Sequence, residues 1–86
     1  MESKQKKAII DILGTIPKVA VAGKIGQWSY LAQFGKALKD NNVDFHKFGY
    51  DKLAEFAENV SFLEVFTDTS YDPPVKYVRF SAGSGT

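Results

Sequence analysis

Gly26-Gln-Trp-Ser-Tyr-Leu-Ala-Gln-Phe-Gly35, followed at close range by Asp44-Phe-His-Lys-Phe-Gly-Tyr50, is the stretch whose reading decides the fold. Ser29 is placed to cap a helix, because its hydroxyl can accept a bond from an otherwise unpaired backbone N–H. Beyond it Leu31, Phe34 and Leu38 fall on one helical face, with Lys36, Lys39 and Asp40 on the other. Gly35 inside this helix costs about 0.8–1 kcal/mol against alanine, so the spacing predicts another backbone passing too close for a side chain. Asn41-Asn42 stops the helix. Phe45 and Phe48 then flank a turn that closes at Gly49, and Tyr50 or Asp51 opens a further helix with Leu53, Phe56, Ala57 and Val60 facing inward.

Outward from this centre the pattern is simple. Ile9, Ile12, Leu13 and Ile16 form a helical stripe that Pro17 ends near Gly14 or Thr15, since proline cannot continue a helix and disfavours helical dihedrals before it. Residues 17–26 read as a loop or a short edge strand, with the loop preferred and a brief extended end at Gln27 and Trp28. Residues 62–67 and 75–81 are β-rich and are joined by the turn-forming Asp68-Thr-Ser-Tyr-Asp-Pro-Pro74. The expectation is an α+β chain, three helices plus a C-terminal β-hairpin wing, which is the outline of a winged helix-turn-helix. Residues 1–86 make one domain, with flexible ends at 1–7 and 81–86, and there are no internal repeats.

Composition narrows the function. A chain of 86 residues has room for one core and hides about 60–65% of its unfolded surface, so stability is modest. There is no cysteine, hence neither a disulfide framework nor a thiolate zinc site. Eleven basic against ten acidic residues leave a net charge of +1, so any nucleic-acid contact must come from local clustering rather than overall charge. The longest apolar run, residues 19–22, is four residues long and cannot span a bilayer. No secretory leader pattern follows the charged start. The chain reads as cytoplasmic, with no membrane partner.

Four features in order resemble the LOTUS (OST-HTH) domain family. They are Gln27-Trp-Ser-Tyr-Leu-Ala-Gln-Phe-Gly35 with its inward leucine and mid-helix glycine, Asp44-Phe45 with the aromatic-Gly-Tyr step at Phe48-Gly49-Tyr50, Lys52-Leu53, and the hairpin Phe62-Leu-Glu-Val65 with Val75-Lys-Tyr-Val-Arg-Phe80. The resemblance covers residues 25–80. It implies a small winged helix within an RNA-handling protein. Some members bind a DEAD-box RNA helicase; others bind RNA, preferring guanine-rich or quadruplex-forming strands. Bacterial members commonly adjoin a NYN-type ribonuclease domain. The helicase-binding subtype carries an additional C-terminal helix, for which Ser81-Ala-Gly-Ser-Gly-Thr86 gives no signal. The expectation is therefore the minimal, RNA-binding form in RNA metabolism. The competing expectation is a protein-interaction module recruiting a DEAD-box helicase or nuclease partner.

Individual residues sharpen this. The helix that a DNA reader would insert in the major groove carries Asp51, Glu55 and Glu58 against Lys52 alone. Three carboxylates facing phosphates are repelled, which argues against DNA. Lys24, Lys36, Lys39, Lys47, Lys52, Lys76 and Arg79 are the candidate phosphate contacts, although Lys76 and Arg79 point to opposite faces of a regular strand. Trp28, Tyr30, Tyr50, Tyr71 and Tyr77 are candidates for stacking on unpaired bases, worth about 1–3 kcal/mol each. Trp28 and Tyr50 are better suited to closing the core, and Tyr71, in the wing connection, is the exposed candidate. His46, the single histidine, cannot assemble a triad or a multi-histidine metal site. Asp40, Asp44 and Asp51 each have a cap or turn role available. The sequence thus predicts a binding domain without catalytic, cofactor or metal residues.

Overall fold

The computed structural model describes residues 3–81. The flexibility expected of residues 1–2 and 82–86 lies outside the described residues. The chain is α+β: α1 (Ser3–Thr15), β1 (Val19–Ala20), β2 (Gln27–Tyr30), α2 (Leu31–Asp40), a 3-10 turn (Phe45–Phe48), α3 (Leu53–Asn59), β3 (Leu63–Asp68) and β4 (Val75–Phe80). The strands form one antiparallel sheet in the order β1-β2-β4-β3.

Helix α1 begins earlier than the sequence suggests. Residues 3–7, expected to be frayed, are helical; Lys4, Gln5, Lys6 and Lys7 are straight-chain helix formers, and the Lys6 ammonium lies 5.4 Å from the Phe62 ring centre. Ile9, Ile12 and Leu13 are buried as the stripe requires. The last turn is closed by side chains: the Thr15 hydroxyl donates to Ile12 O at 2.7 Å, and Lys18 Nζ donates to Leu13 O at 2.6 Å. These satisfy carbonyls that a helix end leaves open.

Of the two readings of residues 17–26, the short edge strand is realised at Val19–Ala20 and the loop in the rest. Val19 and Ala20 pair with Trp28 and Gln27, and β2 continues past Trp28 to Tyr30. Ser29 is therefore a strand residue opposite Val78, fully buried, and not the cap of α2. The extended Tyr30 holds that cap position without a side-chain bond, so α2 starts directly off the strand. Leu31, Phe34 and Leu38 are buried. The helix ends through Asn42, whose φ of 60° is a conformation that asparagine tolerates, with Val43 N donating to Leu38 O at 2.9 Å.

The 3-10 turn is started by Asp44, whose carboxylate accepts from His46 N at 3.0 Å, and closed by Gly49 at φ 92°. That turn consumes chain, so α3 opens at Leu53 behind Lys52 rather than at Tyr50 or Asp51. Gly35 also departs from its expected reason. A β-carbon there would collide with the Leu53 side chain, not with backbone.

The sheet has two apolar faces. On the inner one Leu63 and Val78 join the helices around Phe34 and Phe56, both fully buried; each such ring contributes about 1.5–3 kcal/mol. On the outer one Trp28, Tyr77 and Val21 form a separate cluster edged by Phe66. Trp28 is thus buried but lies outside the helical core, while Tyr50 packs at that core's margin, edge-on to Phe56. Two strands more than the expected hairpin build the sheet, because β2 pairs with β4 through Ser29 and Tyr30.

Candidate functional site

Three lysines of the chain converge on one groove. Lys36 and Lys39, one turn apart on the exposed side of α2, form one wall. Lys47, from the 3-10 turn, lies on the other. The floor is Gly35, Leu53 and Phe45, and the space is about 840 Å³ and open to solvent. Local chemistry fixes the geometry: the Asn42 conformation turns the chain back, and the Asp44 cap tightens the 3-10 turn so that Phe45 points to Phe56 while Lys47 stays exposed.

The groove is electropositive with one compensated acid. Asp44 Oδ1 lies 2.8 Å from His46 Nδ1. Its carboxyl is held below the ordinary value of 3.8, first by the side-chain hydrogen bond with His46 and then by the His46 backbone N–H. The His46 ring stacks on Phe45 at 4.5 Å. The lining therefore offers three ammonium groups, one carboxylate already hydrogen-bonded, and an aromatic floor.

A second hollow of about 350 Å³ lies beside the groove. Ala32 and Leu53 line both spaces, and Lys76 and Tyr30 lie beyond them. Lys76 Nζ is 3.3 Å from Thr67 Oγ1. Tyr30 is 38% exposed and rests against Tyr77 with ring centres 5.3 Å apart.

No family model, no curated protein and no solved structure matches the chain.

The remaining sequence candidates lie elsewhere. Arg79 is engaged in holding the outer face together: its Nε donates to Glu64 at 2.7 Å, its Nη1 donates to Ile25 O at 2.8 Å, and its guanidinium lies 4.7 Å from the Trp28 ring centre. Lys24 stands 4.3 Å over Phe66 on that same face. Lys52 is exposed at the start of α3, outside the lining of the groove, where its carbonyl accepts from Phe56 N at 3.0 Å. Tyr71 is 55% exposed in the connection between β3 and β4. Phe45 and His46 line the groove as well; the sequence marks Phe45 as a turn-flanking aromatic and His46 as a lone histidine, but nothing in their spacing says that the turn folds beside Lys36 and Lys39. Among the described residues no helix is long and apolar enough to cross a membrane, and no group of three acidic or histidine side chains is arranged to hold a metal.

Proposed function

We propose that this domain is a LOTUS-type winged helix that binds RNA without chemistry on it, as an accessory module of a larger cytoplasmic RNA-processing protein. The observation that carries the reading is the convergence of Lys36, Lys39 and Lys47 on one groove. A polyanion laid along it exchanges condensed counterions for three fixed ammonium groups, which provides affinity in a chain whose overall charge is close to neutral. The resemblance supports the same place, because Gly35 and Lys52-Leu53, two of its four features, meet where Leu53 fills the space beside Gly35. The acidic run Glu55 and Glu58 of α3 is exposed and away from that lining, which supports RNA held beside α2 over DNA read by α3. Guanine-rich strands, including quadruplexes with their broad end faces, are the favoured ligands.

The test is a titration with quadruplex, unstructured and duplex RNA at two salt concentrations. Binding is expected to weaken steeply with salt, to favour the guanine-rich strands, and to be lost on combined reversal of Lys36, Lys39 and Lys47 to glutamate. Binding that survives the triple reversal refutes the site. A fragment that ignores every RNA and captures a helicase or nuclease through a salt-insensitive contact refutes the ligand.

A further inference from the structure

The hollow beside the groove has a chemistry of its own. Tyr30 forms one wall, backed by Tyr77, which is 6% exposed and itself stacked on Phe66 at 6.2 Å. Tyr30 is thus a supported ring with an exposed remainder. Leu31, Pro74 and Val75 make the apolar surround, Lys76 is the charged residue at the rim, and no carboxylate lines the space. Its volume of about 350 Å³ falls in the range of small-ligand sites, about 300–1,000 Å³.

An apolar hollow alone would suit many side chains. This one adjoins the lysine groove, with which it shares Ala32 and Leu53, so that Lys47, Lys39 and Lys36 line one space and Lys76 its neighbour. A row of ammonium groups that ends at a backed aromatic ring is complementary to a polymer that alternates a negative charge with a flat apolar body. Single-stranded nucleic acid is such a polymer.

We propose that this hollow is a base-stacking subsite for an unpaired nucleotide. The strand's phosphates follow Lys47, Lys39 and Lys36; one base turns onto Tyr30, and Lys76 takes the neighbouring phosphate. A base inside a duplex has both faces covered, so the subsite selects a locally unpaired position, such as a loop or an end. The proposal rests on the RNA-binding reading and adds to it the strand state and the residue that recognises it.

The test compares three probes at one low salt concentration: a short guanine-rich single strand, the same strand with abasic positions scanned along it, and inorganic polyphosphate of matched charge. Tyr30→Ala is expected to weaken the intact strand about tenfold, Tyr30→Phe to retain it, and one abasic position to reproduce the loss. Pro74→Trp, at an exposed position that lines the hollow and not the lysine groove, fills the hollow without touching the core and is expected to act like Tyr30→Ala. None of these changes alters polyphosphate binding, whereas reversal of Lys36, Lys39 and Lys47 abolishes both probes. Intact-strand affinity unchanged by Tyr30→Ala and Pro74→Trp overturns the subsite while leaving the groove. Equal weakening of both probes overturns it too, as a structural effect of the substitutions. A wild-type domain that binds neither probe overturns the subsite and the RNA-binding reading together. If Tyr30→Ala unfolds the chain by thermal melting, Pro74→Trp alone decides.

Discussion

Leu53 fills the space that a β-carbon on Gly35 would occupy. The two residues lock the middle of α2 against the first residue of α3, and both lie in the floor of the lysine groove. The glycine is therefore a packing device at the site, and its helical cost is the consequence of admitting Leu53.

Gly35→Ala tests this contact. Alanine gains about 1 kcal/mol of helix propensity, and displacing the half-buried leucine costs about 1–3 kcal/mol. The expected net effect is a destabilisation of about 0–2 kcal/mol by urea unfolding, together with weaker RNA binding as Leu53 moves into the groove. A gain in stability with unchanged binding would show that Leu53 yields freely.

Ser29 separates two readings of one residue by sign. As a helix cap, its loss to alanine would cost about 0.5–2 kcal/mol. In the structure its hydroxyl is buried in β2 with no hydrogen-bond partner, which carries a desolvation penalty of about 1–3 kcal/mol. Ser29→Ala is accordingly expected to raise the free energy of unfolding by about 1 kcal/mol, seen as a higher urea midpoint.

The same residue explains what the sequence could and could not tell. Leu31, Phe34 and Leu38, or Phe56, Ala57 and Val60, announce themselves by helical spacing, and the β3–β4 hairpin by alternation around a proline-rich turn. Strand β2 is hidden because it runs straight into α2, and a serine just before a helix has the look of a cap. Its pairing with distant β4 is a tertiary fact. The groove was half legible for a similar reason. Lys36 and Lys39 share a helix face by spacing alone, but Lys47 reaches them through the Asn42 and Asp44 conformations. Lys24 and Arg79 go to the outer face because the segment between β1 and β2 folds over Phe66 and Trp28, which no local pattern encodes.

Arg79 should behave as a structural residue. It joins Glu64 of β3, the Ile25 carbonyl and the Trp28 ring. With side chains 30% and 43% exposed, the ion pair with Glu64 is partly solvated and contributes little by itself; the ring contact adds about 0.5–2 kcal/mol. Arg79→Ala is expected to destabilise by about 1–2 kcal/mol in urea while leaving RNA affinity within about twofold. Arg79→Lys restores only part of the stability, since one ammonium cannot span the positions held by Nε and Nη1. A large loss of RNA affinity at unchanged stability would return Arg79 to the contact surface.

Stability should fall at both ends of the pH range for identifiable reasons. Asp44 is held below 3.8 by the His46 side chain and then the His46 N–H, and Asp68 likewise by the Ser70 hydroxyl and N–H. The folded chain binds these protons less readily than the unfolded one. Their contribution is therefore complete above about 3.8 and is lost as pH falls through the lower folded values. Tyr77 is pushed above 10.0, first by burial and then by neighbouring Tyr30. The unfolded chain loses that proton first, so stability is complete below 10.0 and declines as pH rises beyond it. Thermal midpoints against pH are expected to show a plateau with two limbs. Asp44→Asn should flatten the acid limb alone and Tyr77→Phe the alkaline limb alone, whereas Asp68→Asn should flatten the acid limb and also soften the alkaline one, because the Asp68 charge is among the causes that raise Tyr77. An acid limb that persists in the Asp44→Asn, Asp68→Asn double variant would assign it to other carboxylates.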